Sequence, residues 1–311
     1  MRAFIVPEFG DPGGIGERPK PQPEAGQLLV RVKAAGVNAM DPIYRAGYAQ
    51  TFMEHRLPLT PGVDYAGTVE SVGPGVEGFS TGDEVFGVVG KSYAGEGSFA
   101  EYVTVASNVA ARRPHALAPE QAAALPLAAT TGLAAVDALG ATPGDTIAVV
   151  GAAGGVGSYA TQLAATSGLN VIAVTSSEQA DYVRGLGAAE VVDYDAGDVI
   201  EQLRAKAPDG LAGIIDVFHD AEALAPYASL VRPGGRVVSP VAMGIDQALA
   251  DQPVSGQLIV AAPNRAGELG DLAANGTITV PVEVMPLDRG AEALDRQAGR
   301  HVHGKLVLVV D

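Results

Sequence analysis

Apolar and polar positions along this chain keep two different rhythms. Up to about residue 118, apolar residues come in short runs: 1–6, 27–36, 63–72, 83–89 and 98–105, bounded by glycine, proline or polar residues. Such runs fit half-buried strands, and many short strands with frequent turns imply a compact barrel-like domain. From residue 119 the rhythm changes. Residues 119–124 and 128–139 are alanine-rich and helical, and apolar strands then alternate with helices. The predicted strands are 146–150, 170–175, 190–193, 213–218 and 236–240, and the predicted helices are 158–167, 178–186, 199–206 and 221–231. That alternation implies βαβ units and a parallel sheet. Gly187, and Gly234-Gly235, stand where helix C-caps belong. The last stretch is mixed: strand 256–262, helix 266–275, strand 278–284, helix 289–297, strand 305–310.

Composition narrows the class. With 311 residues, 47% hydrophobic and 18% charged, the chain has material for an ample core and no signature of disorder. No run approaches the ~18 consecutive apolar residues of a membrane span. The apolar start is too short for a signal-peptide core, so a cytoplasmic protein is expected. A formal charge of −16 argues against nucleic-acid or anionic-membrane partners, which need a basic surface. Cysteine is absent, which removes disulfides, thiolate nucleophiles and Cys-based zinc sites together.

The 146–150 run leads into Gly151-Ala152-Ala153-Gly154-Gly155-Val156-Gly157 and then into a helix. Strand, glycine turn and helix in that order build a phosphate site. Glycines let the backbone approach a pyrophosphate, and the helix N-terminus offers N–H groups and a positive dipole end. Ala152 takes the first glycine of the G-x-G-x-x-G pattern, and on the motif alone a tight turn before a packed helix is the competing reading.

Other words of sequence stand in a fixed order: Ala35-Gly36-Val37-Asn38 with Asp41, Pro61-Gly62-Val63-Asp64-Tyr65-Ala66-Gly67, Gly73-Pro74-Gly75-Val76, Gly82-Asp83-Glu84-Val85, Gly97-Ser98-Phe99-Ala100-Glu101, Leu186-Gly187-Ala188, Arg232-Pro233-Gly234-Gly235-Arg236 and Gly304-Lys305-Leu306-Val307-Leu308. With the glycine turn, and over nearly the whole chain, they resemble the medium-chain dehydrogenase/reductase superfamily and its zinc-independent quinone oxidoreductase branch. The resemblance implies an α/β protein. A GroES-like β-rich catalytic domain would occupy residues 1–118 and 263–311, with a Rossmann doubly wound parallel-sheet domain inserted at 119–262. It further implies an NADPH-dependent enzyme that transfers hydride to a quinone or α,β-unsaturated carbonyl. The alternative is an NADP(H)-binding protein of the same fold, structural or regulatory, without turnover. A homodimer joined through the 256–262 edge strand also follows from the resemblance.

Zinc-dependent relatives carry a Cys ligand where this chain has Asn38, and Gly-His-Glu where it has Gly62-Val63-Asp64. Valine cannot ligate zinc and asparagine is a poor ligand, and the four-cysteine lobe of structural-zinc relatives is missing. His301 and His303 have no third partner in sequence and fit a solvated pair. No metal is expected.

For the cofactor, Gly154, Gly155, Val156 and Gly157 are expected at the pyrophosphate. The second Rossmann strand ends in Ser176-Ser177, where NAD-selective sites place a carboxylate for the ribose 2′-OH, so NADP(H) is favoured. Glu178 follows where relatives often carry a cation; Arg300, which falls where the resembling relatives carry a cofactor-contacting arginine, is the phosphate's candidate partner, with Tyr194 flanking the adenosine. A surface cation and ordinary strand-end packing are the plainer readings of these two. Phe218 and His219 end the strand expected near the nicotinamide, Val241 and Ala242 are expected to offer it backbone groups, and Thr131 either faces the cofactor or supplies helix polarity.

For catalysis, Asn38 is the expected donor to the carbonyl oxygen as negative charge develops. Tyr44, Arg45 and Tyr48 follow on the next helix or loop and would line the substrate mouth or donate hydrogen bonds. At i and i+4, Tyr44 and Tyr48 also fit one packed helical face. Asp41, before Pro42, reads as a helix N-cap.

Overall fold

The computed structural model describes residues 1–299 and 302–310. The chain divides into two compact units, Met1–Leu127 with Pro263–Asp311, and Ala128–Ala262. The chain begins with strands β1 (Arg2–Ile5), β2 (Gly14–Glu17) and β3 (Gln27–Gly36) and helix α1 (Met40–Ala46). Strands β4 (Glu54–Thr60), β5 (Asp64–Val72), β6 (Glu84–Val88), β7 (Tyr93–Glu96), β8 (Tyr102–Ala106) and β9 (Ala110–Arg112) follow, then helix α2 (Pro119–Ala123). Next come α3 (Pro126–Leu139), β10 (Thr146–Val150), α4 (Gly155–Thr166), β11 (Asn170–Thr175), α5 (Ala180–Gly185), β12 (Glu190–Asp193) and α6 (Val199–Lys206). The second half of that run is β13 (Leu211–Asp216), α7 (Ala221–Leu224), β14 (Val231–Ser239), α8 (Ile245–Ala248) and β15 (Ser255–Leu258). The chain closes with α9 (Ala266–Ala274), β16 (Val282–Pro286), α10 (Gly290–Ala298) and β17 (Lys305–Val309).

In the first unit the main sheet runs β16-β17-β3-β5-β6-β9, with β8 also paired to β3. Strand β3 is its spine. Leu28, Val30 and Val32 alternate into a core with Phe4, Phe99, Leu306 and Leu308, so the last strand of the chain completes a core that the first strands began. The second unit holds a parallel sheet in the order β12-β11-β10-β13-β14-β15. Strands β10, β11 and β13 are buried almost throughout, because a parallel sheet is covered on both faces, and their sequences are accordingly apolar runs without alternation. From β10 the chain winds outward through β11 and β12, then returns to the other side of β10 as β13. That reversal sets a topological switch point between β10 and β13.

The β-rich and βαβ units are as the sequence implies, with corrections at particular elements. Helix α2 packs on β3, β5 and β6 and lies with the first unit, which runs to Leu127. Strands β4 and β7 escaped the pattern. Pro58 interrupts the first, and the second is four residues with Gly95 inside it. Gly234-Gly235 cap no helix; they lie within β14, where its register against β13 shifts. Residues 98–101 and 278–281 precede their strands rather than belonging to them. Among the described residues no helix is long and apolar enough to cross a membrane.

Candidate active site

Parallel topology brings scattered residues to one rim. Gly151 follows β10, Ser176 follows β11, Tyr194 follows β12, Phe218 comes just after β13 and Val241 just after β14, all at the carboxyl end of the sheet. Gly151 leaves β10 at φ +78, a left-handed backbone that favours glycine, and its amide and that of Ala152 both donate to Val174 O at 3.2 Å. Gly154 caps α4 without a side chain, and the helix begins at Gly155, three residues before the sequence expectation. Gly155, Val156 and Gly157 are therefore its first turn. The first helical bond runs from Ser158 N to Gly154 O at 2.8 Å, so the three preceding amides lack intrahelical acceptors and point out of the positive end of the helix.

Two of these glycines exist for different reasons. A Cβ on Gly157 would lie 2.1 Å from Gly151 O, so the turn itself forbids a side chain there. A Cβ on Gly154 would meet only Gly151 O, at 3.4 Å, and its φ of −76 suits any residue. The fold does not require glycine at 154. The space a Cβ would fill, with three outward amides behind it, fits a pyrophosphate.

At the neighbouring strand ends, Tyr194 N donates to Thr175 O at 3.2 Å, which sets the exposed tyrosine beside half-buried Ser176 and exposed Ser177. The cations on the adjoining helices are engaged: Arg184 with Asp181 at 3.2 Å, Arg204 with Glu201 at 2.5 Å and Lys206 with Glu190 at 2.7 Å. Arg300 and His301 lie outside the described residues, and His303 is exposed. Thr131 is buried in α3. Phe218 is 51% exposed at the rim. The Val241–Ala242 loop is bonded internally through its N–H groups. Both amides donate to the buried Ser239 hydroxyl, at 3.1 and 2.9 Å, so these N–H groups close their own loop.

The first unit holds a cluster that the sequence did not announce. Asn38, Asp41, Asp64 and Lys305 are all buried. Lys305 Nζ donates to Asn38 Oδ1 at 2.5 Å and Val37 O at 2.7 Å, and lies 3.9 Å from Asp64 Oδ2. Asn38 Nδ2 donates to Asp64 Oδ2 at 3.0 Å and makes a longer 3.4 Å contact to Gly36 O. The amide of Asn38 thus donates within the cluster, to Asp64, rather than standing open to the cavity. Asp41 is not an N-cap either. Ala39 holds that position, and Asp41 in the first turn of α1 accepts Asn38 N at 2.7 Å and Gly62 N at 2.9 Å, stapling two loops. Where zinc relatives carry ligands this chain has an engaged amide, a valine and a carboxylate that faces the Lys305 ammonium, a set that does not fit zinc. Among the described residues no three His, Asp or Glu side chains converge as metal ligands.

Burial pushes the Asp41 carboxyl up to about 7 and that of Asp64 to about 6, opposed by Lys305 and the hydrogen bonds, and burial holds the Lys305 ammonium below the ordinary lysine range. A carboxyl whose folded pKa is raised contributes stability below its unfolded value that is lost as pH rises through the folded one. Wild type is therefore expected to lose melting temperature relative to Asp41→Asn as pH rises from about 4 to about 7.5. A difference flat across that window, measured by thermal denaturation, would contradict the assignment.

Tyr44 and Tyr48 do not share a helical face. Helix α1 stops at Ala46, Gly47 turns left-handed, and Tyr48 is 78% exposed beyond it. Tyr44 is half-buried and lines a cavity of about 80 Å³ with Met53, Gly62, Val63, Lys91 and Tyr93. Burial raises its phenol to about 12, so it remains a hydrogen-bond donor at neutral pH. Arg45 pairs with Asp295 at 2.6 Å and ties α1 to α10. Of the residues missed by sequence reasoning, Lys305 carried one available signal, a cation at the head of the apolar run 306–310, and Lys91, beside Ser92, Tyr93 and Glu96, carried none.

Comparison with known proteins agrees with this division. An alcohol dehydrogenase GroES-like domain matches residues 24–115, and a zinc-binding dehydrogenase domain matches residues 155–257. An alcohol dehydrogenase of Geobacillus stearothermophilus is 30% identical over all of both chains. A chloroplastic quinone-oxidoreductase homolog of Spinacia oleracea is 31% identical over 93% of this chain and 91% of its own. Among solved structures, the quinone oxidoreductase from Coxiella burnetii superposes with a TM-score of 0.90 at 26% identity, covering 100% of this chain and 99% of that one. A mycobacterial protein complexed with NADPH reaches 0.85 at 29% identity, with full coverage of both. The chain belongs to the medium-chain dehydrogenase/reductase superfamily, in its quinone oxidoreductase-like branch.

Proposed function

We propose that this protein is an NADPH-dependent, zinc-independent oxidoreductase that transfers hydride to a quinone or an α,β-unsaturated carbonyl. The observation that carries the cofactor reading is the sheet rim: a glycine turn whose Gly154 the fold does not need, with Ser176 and Ser177 where an NAD-selective site would place a carboxylate. A carboxylate there would repel a 2′-phosphate; two hydroxyls do not. The nicotinamide of NADPH supplies the hydride. The protein supplies position and charge stabilisation. Tyr44, protonated at the cavity wall, takes over the role first expected of Asn38 and donates to the carbonyl oxygen of the acceptor. Tyr48 is exposed beyond the end of α1. With Asn38 and Asp64 bound to Lys305, the site has no use for zinc, and a conjugated acceptor accepts hydride without a Lewis acid.

The test is direct. Purified protein with NADPH and a panel of small quinones and enones is expected to oxidise NADPH in the presence of a metal chelator, faster than it oxidises NADH. Measurable NADPH binding with no oxidation above blank across the panel would instead favour the non-catalytic binding protein. We also propose a homodimer joined at β15, the edge of the parallel sheet, where Leu258 and nearby Val260 are exposed. A monomer mass by light scattering at micromolar concentration would remove it.

A further inference from the structure

The carboxyl end of β13 carries a pair that the reading above does not use. Asp216, the last residue of β13, is fully buried. Its Oδ1 accepts the amides of Phe218 and His219, both at 2.8 Å, and its Oδ2 lies 2.7 Å from Nδ1 of His219. Oδ1 already accepts two amides, and the imidazole completes this carboxylate by donating from Nδ1, which places Nε2 on the opposite side of the ring. The ring is held further by Phe218, edge-on with centroids 5.1 Å apart, and by Tyr227 at 5.3 Å. Even so the side chain keeps 22% exposure. A buried carboxylate fixing the tautomer of a partly exposed histidine is the arrangement that prepares an imidazole to meet a ligand.

Its location says which ligand. Val150 and Asp216 are paired across β10 and β13, and Val217 N donates to Val150 O at 3.2 Å. Val150 is the last residue before the glycine turn. The pair therefore sits at the switch point, on the strand next to the one that carries Gly154–Gly157, in the crevice where open α/β sheets bind nucleotides. We propose that His219, oriented by Asp216, is a cofactor-binding residue whose Nε2 hydrogen-bonds the ribosyl-diphosphate portion of the dinucleotide, with Asp216 as its positioning residue. As donor Nε2 meets a phosphate oxygen, and as acceptor it meets a ribose hydroxyl.

This rests on the NADP(H) reading, and binding is measured without turnover so that the two fail separately. Asn at 219 keeps a donor for Asp216 and deletes Nε2, whereas Gln reaches toward the Nε2 position. In calorimetric titration, His219→Asn is expected to bind NADPH and ADP-ribose alike roughly tenfold more weakly, with part of the loss recovered by His219→Gln. In ¹⁵N spectra of wild type, the Nε2 resonance of His219 moves on addition of NADPH. Affinities within about twofold of wild type for both ligands, or an unmoved Nε2 resonance, overturn the proposal. A loss confined to NADPH and absent with ADP-ribose also overturns it, because the contact then lies outside the ribosyl diphosphate. A wild type that binds NADPH yet reduces no acceptor refutes the oxidoreductase and leaves this inference standing.

Discussion

Lys305→Met is expected to destabilise the protein by about 3–5 kcal/mol near pH 8 and by much less near pH 5. The ammonium sits on the last strand, 267 positions from the Asn38 it binds, and is the only cation facing two buried carboxyls among the described contacts. Methionine matches its length and brings no charge, so near pH 8 Asp41 and Asp64 either ionise unpartnered in the core or stay protonated at a free-energy cost. Burial has already raised both carboxyls, to about 7 and about 6, and removing the ammonium raises them further. For a raised carboxyl the favourable contribution is present at low pH and lost on going up, so acid rescues the variant. Urea unfolding at the two pH values checks it. Equal losses at both would mean that packing, not charge, is what Lys305 contributes. Adding Asp64→Asn to the variant is expected to recover part of the loss near pH 8, since one unpartnered carboxylate disappears.

The history of Asn38 marks where sequence stops being sufficient. Its position in Ala35-Gly36-Val37-Asn38 was legible, and so was its loss of zinc-ligand chemistry. Which way its amide points was not, because its partners Asp64 and Lys305 come from distant strands that only tertiary pairing brings together. The parallel sheet was legible for the opposite reason. Strands β10 and β11 matched expectation to the residue because burial on both faces writes itself as a nearly uninterrupted apolar run. Strand β4, broken by Pro58 and largely exposed, leaves no such trace. The switch-point pair Asp216–His219 is intermediate. Both residue types were in view, yet a histidine three positions after an aspartate means nothing until the strand ends and the backbone folds Nδ1 onto the carboxylate.

Gly157→Ala is expected to abolish measurable NADPH binding, a loss of roughly a hundredfold or more, and to lower thermal stability as well. The added methyl would fall 2.1 Å from Gly151 O, 2.8 Å from Gly151 C and 2.9 Å from Ala152 Cα, all backbone atoms with no rotamer to escape through. The first turn of α4 must then move off the end of β10, and the amides of Gly155, Val156 and Gly157 lose their common direction. Because that variant damages fold and site together, its companion decides the matter. Gly154→Ala places its methyl at ordinary contact distance, 3.4 Å from Gly151 O, on a backbone that alanine adopts freely. Its melting temperature is expected to match wild type, while NADPH binds about tenfold or more weakly because the methyl occupies the space in front of the outward amides. Calorimetric titration of both variants with thermal scans separates the outcomes. If Gly154→Ala binds NADPH as wild type does, the helix N-terminus is not where the pyrophosphate lies, and the glycines are there only to turn the chain.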